Sequence, residues 1–233
     1  MNVVFSQKKA RTVLFTTVTI TTTLLVIHLI TQYAITSWDL HHYVVGLFER
    51  FNVDEEASIP TWYAQILLFC TASVALYIGV FLFQKKDKYR NHWIAIAVLL
   101  LCMSIDEGAS MHELAIEPFQ DKLDIDGGLL FFAWVIPAAV IVVVIVATFF
   151  KFWLQLPKHI RIVLAVSAVL FVAGGLGMEM LSGAFWEANA FENSYQYRVY
   201  NAAEEAGELY GVNIALYAFL LAVIEYRKKK YND

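Results

Sequence analysis

The sequence is poor in charge: Asp, Glu, Lys and Arg make up 16% of its 233 residues while 59% are hydrophobic, a balance that excludes an ordinary water-soluble domain. Cysteine is scarce too. Cys70 and Cys102 both fall inside long apolar runs, which excludes a disulfide framework and leaves them as packing residues. The glycine-rich loops that cradle nucleotide phosphates, the paired cysteines that attach haem and the H-E-x-x-H of zinc proteases are all missing. The basic residues form no stripe, so nucleic acid is excluded as a partner.

What the sequence does have is apolar runs near twenty residues long, the length an α-helix needs to cross about 30 Å of hydrocarbon. Six qualify, at 12–35, 61–84, 92–115, 128–150, 159–184 and 199–226. They predict an all-α integral membrane protein, a single six-helix transmembrane domain over 1–233, with membrane lipid as its surroundings. The first run follows Lys8, Lys9 and Arg11 as a signal peptide would. It is longer than a signal h-region and lacks a small-residue cleavage site, so it is expected to stay as a mature helix.

Charge then orients the bundle. Of seventeen Lys and Arg, all but Arg50, Lys122 and Arg198 sit at the N-terminus, between runs two and three, between runs four and five, or in the tail. The positive-inside rule therefore expects both termini in the cytoplasm of a multi-pass cell-membrane protein, with the acidic loops outside. In the first outer loop Val44, Leu47, Phe48 and Phe51 have the spacing of one helix face, which predicts a short amphipathic helix along the membrane surface. Trp38, Trp62 and Trp186 near the outer ends of the runs read as an anchoring aromatic belt.

Against that background, seven carboxylates inside apolar runs need an explanation: Asp106, Glu107 and Glu113 on the third, Glu179 on the fifth, and Glu204, Glu205 and Glu208 on the sixth. An acidic side chain at a helix centre costs about 2.5–3.5 kcal/mol on insertion scales, less near the interface. All seventeen Lys and Arg lie in loops or at helix ends, so none is placed to offset it. Counting rise per residue puts Asp106 about 21 Å from the inner boundary and Glu204 to Glu208 about 6–12 Å from the outer one, so all seven fall in one outer slab. At about 100° per residue Asp106 and Glu113, seven residues apart, nearly coincide in azimuth, and Glu204 and Glu208 share a face. Gly174, Gly175, Gly177, Gly183, Gly108 and Gly207 flank these acids, as close helix approach or simple packing requires.

A bound cation neutralises several carboxylates at once. Carboxylate-rich sites with one or two imidazoles suit iron, manganese or zinc, and di-metal sites in helical bundles use about four carboxylates and two histidines. The expected ligands are Asp106, His112, Glu113, Glu179, Glu204 and Glu208. His28, at similar depth, is a weaker candidate, and the Glu-x-x-His pairing of such bundles is absent. Glu107 and Glu205 are left to act as a general base beside a metal-bound water. The function read from this is a membrane metalloprotein with a carboxylate and histidine site near the extracytoplasmic face, able to serve as a metal-dependent enzyme on a lipid or small extracytoplasmic substrate. The alternative is a transporter, channel or sensor for protons or divalent cations using the same carboxylates. The apolar inner halves of runs three, five and six count against a continuous path, and matching inverted halves are missing. The oligomeric state is not encoded in these features.

Overall fold

A computed structural model describes residues 6–125 and 127–232, with side chains through Lys228. Lys229 and Lys230, counted above in the basic tail, therefore lie outside the described side chains. The chain is helical almost throughout: α1 Gln7–Ser37, α2 His42–Phe48, α3 Ile59–Gln84, α4 Arg90–Ala109, α5 Ile116–Leu123, α6 Val135–Gln155, α7 Lys158–Val172, α8 Glu179–Ala188 and α9 Tyr195–Asn232. The π-helical segment Ala173–Met178 joins α7 to α8 without a break in the rod. Among the described residues six helices, counting α7 to α8 as one, are long and apolar enough to cross a membrane.

Local chemistry sets several helix ends. Ser6 caps α1 by accepting from the Lys9 amide, and Ser58 caps α3 from Thr61 with Pro60 in the first turn, satisfying donors that a helix start leaves orphaned. Two predicted runs are corrected here. The third stops at Ala109, because Ser110 turns left-handed at φ 41° and a 3-10 turn, Met111–Ala115, follows. The fourth begins at Val135 rather than near 128, because Gly127 and Gly128 have positive φ and the chain leaves them through a short turn. The loop segment expected as a surface helix does form α2, continued by a 3-10 turn, Glu49–Phe51.

The central helix is α9, packed against α1, α3 and the whole α7 to α8 rod. Its Leu209, Val212, Leu216, Phe219 and Val223 join Leu67, Ala75, Ile78, Trp93 and Ile160 in one core. Small polar bonds tie the middle of the bundle together: Asn213 Nδ2 donates to Thr21 Oγ1 at 2.8 Å and Ser167 Oγ to the Gly211 carbonyl at 2.7 Å. By contrast α6 is peripheral. It meets the bundle through Trp134 just before its first residue and through Phe152 against His92 and Trp93 near its last turn, while Val140, Val143, Val144 and Val146 between them are exposed. Successive long helices alternate in direction. Lys8, Lys9, Arg11, Arg90, Lys158 and Arg161 therefore gather at one end, and the carboxylates lie toward the other, the acidic end.

Candidate functional site

Near the acidic end, the first turns of α9 face the π segment across an interval set by glycine. A side chain at Gly207 would run into the Gly174 backbone, and one at Gly174 into the Glu204 carbonyl and Glu208 amide. The two backbones therefore touch, and the Glu204, Glu205 and Glu208 side chains emerge beside the contact. Gly175 contributes differently: a Cβ there would occupy the place of the Glu208 carboxylate. These glycines serve both packing and the acids, and the widened π turn sits where they meet, a placement common at functional sites.

The carboxyl groups are close enough to feel each other's charge. Glu204 lies within hydrogen-bonding reach of Glu179 and near Glu205 and Glu208. Glu205 neighbours Glu107, Glu208, Asp54 and Glu179, and Glu208 neighbours Glu107, Glu179 and Asp106. All of them except Asp54 are half-buried, with part of each side chain open. Hydroxyl and indole donors hold two in place: Ser182 Oγ donates to Glu204 at 3.3 Å and Trp134 Nε1 to Glu179 at 3.0 Å. Among the described residues no Lys or Arg forms an ion pair with any of the seven acids named from the sequence. Nor do three His, Cys, Asp or Glu side chains stand close enough together to enclose a metal ion.

The end of α4 separates residues that helical periodicity had joined. Asp106 accepts from the His112 amide at 3.0 Å and faces His112 Nδ1 at 2.9 Å, so it braces the turn and orients the imidazole. The His112 ring lies 4.5 Å from that of Trp134, which links this dyad through the indole to Glu179. Glu113 does not share the Asp106 face. It lies exposed on the 3-10 turn, because the left-handed Ser110 breaks the register on which that expectation stood. His28 is fully buried, and both its nitrogens are taken by backbone: Nδ1 accepts from the Val53 amide at 3.1 Å and Nε2 meets the Arg198 carbonyl at 3.2 Å. It is a structural pin between α1, the first loop and α9.

Residues 13–224 match the model of a family described as a domain of unknown function, DUF8692. The chain belongs to that family. It matches no curated protein and no solved structure. The family match covers every element of the acidic cluster, from Asp54 to Glu208.

Three residues of this DUF8692 site were not singled out from the sequence. Asp54 reaches the cluster from the loop before α3, and Arg198, only 8% exposed, lies 3.9 Å from Asp54 and 3.7 Å from Glu49. Burial pushes the Asp54 carboxyl up to about 7, against the nearby Arg198 guanidinium, which lowers it. That side chain keeps 42% of its surface open, so solvent screens the effect. Asn201, 2% exposed, stands beside them on α9. Arg198 was visible as one of three basic residues on the acidic side, but its partners come from a loop whose fold no periodicity announces.

Proposed function

We propose that this chain is a multi-pass membrane protein, with both termini cytoplasmic, whose acidic cluster takes up divalent metal near the extracytoplasmic face. The wide belt of exposed apolar side chains, including Phe15, Ile30, Phe69, Val143 and Val169, supports insertion, since water-soluble monomers rarely expose contiguous apolar surface on that scale. The observation that carries the metal reading is that Glu107, Glu179, Glu204, Glu205 and Glu208 lie within range of one another's charge while, among the described residues, no Lys or Arg pairs with them. Carboxylates so arranged repel, and a divalent cation is the charge that would draw them together.

The ligands proposed are Glu107, Glu179, Glu204, Glu208 and the His112 imidazole through Nε2. Asp106 takes the positioning role, since a ligating imidazole is commonly held through its other nitrogen by a carboxylate. Glu205 is the carboxylate left to accept a proton from a metal-bound water. The ligands have to close by side-chain rotation, because none of the present groupings is a finished shell. Glu113 is dropped from the set on account of its exposed turn. Iron, manganese and zinc are all compatible with such oxygen-rich donors.

The second reading, in which the cluster carries protons or senses cations, is favoured by one observation: Glu204 and Glu179 lie within hydrogen-bonding reach, an arrangement that one proton can hold. Elemental analysis of protein purified without chelator separates the two. Wild type is expected to retain metal, and Glu208→Gln and Glu204→Gln to lose most of it. Metal-free wild type that takes up none on titration would sink the metal reading, and proteoliposome flux of protons or cations abolished by the same substitutions would establish the second.

A further inference from the structure

A second feature lies at the opposite end of the bundle. Both α1 and α7 pack on α9, and they leave a crevice between them with α9 as its floor. It has a volume of about 320 Å³ and is lined by Gln7, Arg11, His159, Val163, Tyr217 and Leu221. Each helix supplies two residues four apart, one face per helix. The polar members are Arg11, Gln7, His159 and the Tyr217 hydroxyl, while Val163 and Leu221 give it an apolar wall.

We propose that this crevice binds a phosphate group, presented by the headgroup of an anionic phospholipid. Arg11 supplies a guanidinium, whose planar fork matches phosphate oxygens. His159 stands in the first turn of α7, where backbone amides without helical partners and the helix dipole favour an anion. Gln7 and Tyr217 add neutral donors. One turn beyond Leu221, the Glu225 carboxylate is engaged by Lys228 at 3.4 Å. The volume is at the small end for ligand sites, matching a headgroup rather than a whole lipid. Among the described residues Arg11 has no acidic ion-pair partner. The phosphate chemistry is independent of the acidic cluster, while the lipid as its source rests on the membrane insertion proposed above.

Native mass spectrometry of the full chain in detergent, titrated with phosphatidylglycerol or phosphatidylcholine and separately with inorganic phosphate, tests this. Wild type is expected to retain phosphatidylglycerol preferentially. Arg11→Gln should weaken that retention about fivefold, the effect of one basic residue near an anionic surface, and adding His159→Gln should weaken it further. Lys9→Gln is the control, because it removes an equal charge at the same end from the opposite face of α1 and should leave retention within about twofold. Equal losses in Arg11→Gln and Lys9→Gln, or no preference over phosphatidylcholine in wild type, overturn the lipid site. Retention of inorganic phosphate that Arg11→Gln abolishes, without lipid preference, would uphold the phosphate chemistry and overturn the lipid source. Protein that stays soluble and monodisperse without detergent would refute the insertion reading on its own.

Discussion

Substituting alanine at Gly207 and at Gly177 should move stability in opposite directions, although both glycines are helical and only one π segment separates their surroundings. At Gly207 the added methyl meets the Gly174 Cα and nitrogen and the Leu170 carbonyl, all backbone. None of these can yield by a rotamer change, so α9 and the α7 to α8 rod must part. A 2.7 Å approach to unyielding backbone belongs at the upper end of overpacking costs, about 2–3 kcal/mol, and the better helix propensity of alanine returns about 1 kcal/mol. The net loss is about 1–2 kcal/mol. For a chain of this length that lowers Tm by about 2–8 °C, using 2–4 °C per kcal/mol. At Gly177 nothing lies within 4 Å of the new methyl, and reduced freedom of the unfolded chain should add about 0.4–1 kcal/mol. Thermal melts in detergent, followed by tryptophan fluorescence, read both. A Gly207→Ala protein as stable as wild type, or a Gly177→Ala protein that falls as far as Gly207→Ala, would refute the backbone contact.

Three further outcomes follow from the same geometry. Gly175→Ala places its methyl on the flexible Glu208 carboxylate rather than on backbone, so metal titration should show uptake at least about tenfold weaker while stability changes by less than about 1 kcal/mol; unaltered uptake would separate Glu208 from the metal. His28→Leu strands the buried Val53 amide, at about 1–3 kcal/mol for that orphaned donor, and should lower Tm without changing the metal content per folded protein; loss of metal at unchanged Tm would restore His28 as a ligand. Burial raises the Asp54 carboxyl from 3.8 toward about 7 in the folded chain, so as pH rises through that window the unfolded chain sheds its proton first and folded stability declines, levelling off above 7, by less than a fully buried carboxyl would give because 42% of the side chain is open to solvent. Asp54→Asn should flatten that stretch of the Tm against pH curve, and a curve left unchanged would place the titration elsewhere.

The six long apolar helices were legible because run length alone separates a candidate span from a surface helix, and α2 because its apolar residues share a face. The spacing of Glu204, Glu205 and Glu208 around α9 was legible for the same reason: they lie on an uninterrupted helix, where azimuth follows from spacing. The position of Glu113 was not, because a single left-handed residue, Ser110, ends α4 and no periodic pattern records it. Conversely, that turn brings His112 back onto Asp106, a contact that an ideal helix would not make. Asp54 and Arg198 meet through a loop, where pairing depends on tertiary contacts that composition does not carry. His28 was misleading for a simpler reason: an imidazole that satisfies two backbone groups looks, in sequence, the same as one waiting for a metal.

The π segment also bears on how this chain tolerates change in length. A π turn holds a residue more than an α turn, so the rod from Lys158 to Ala188 behaves as an α-helix carrying an insertion. Deleting one residue between 173 and 178 would restore α periodicity and leave everything beyond it in nearly the same phase, because the wide turn has already absorbed that residue. The same deletion in the regular turns of α7 has no wide turn to compensate it and would rotate everything beyond by about 100°, turning Glu179 away from Glu204 and Trp134, and Ser182 from Glu204, while the helix kept almost its full span. The acidic cluster is thus set by phase as much as by residue identity, and the π segment is the one stretch of this rod where a residue can be lost without turning Glu179 out of it.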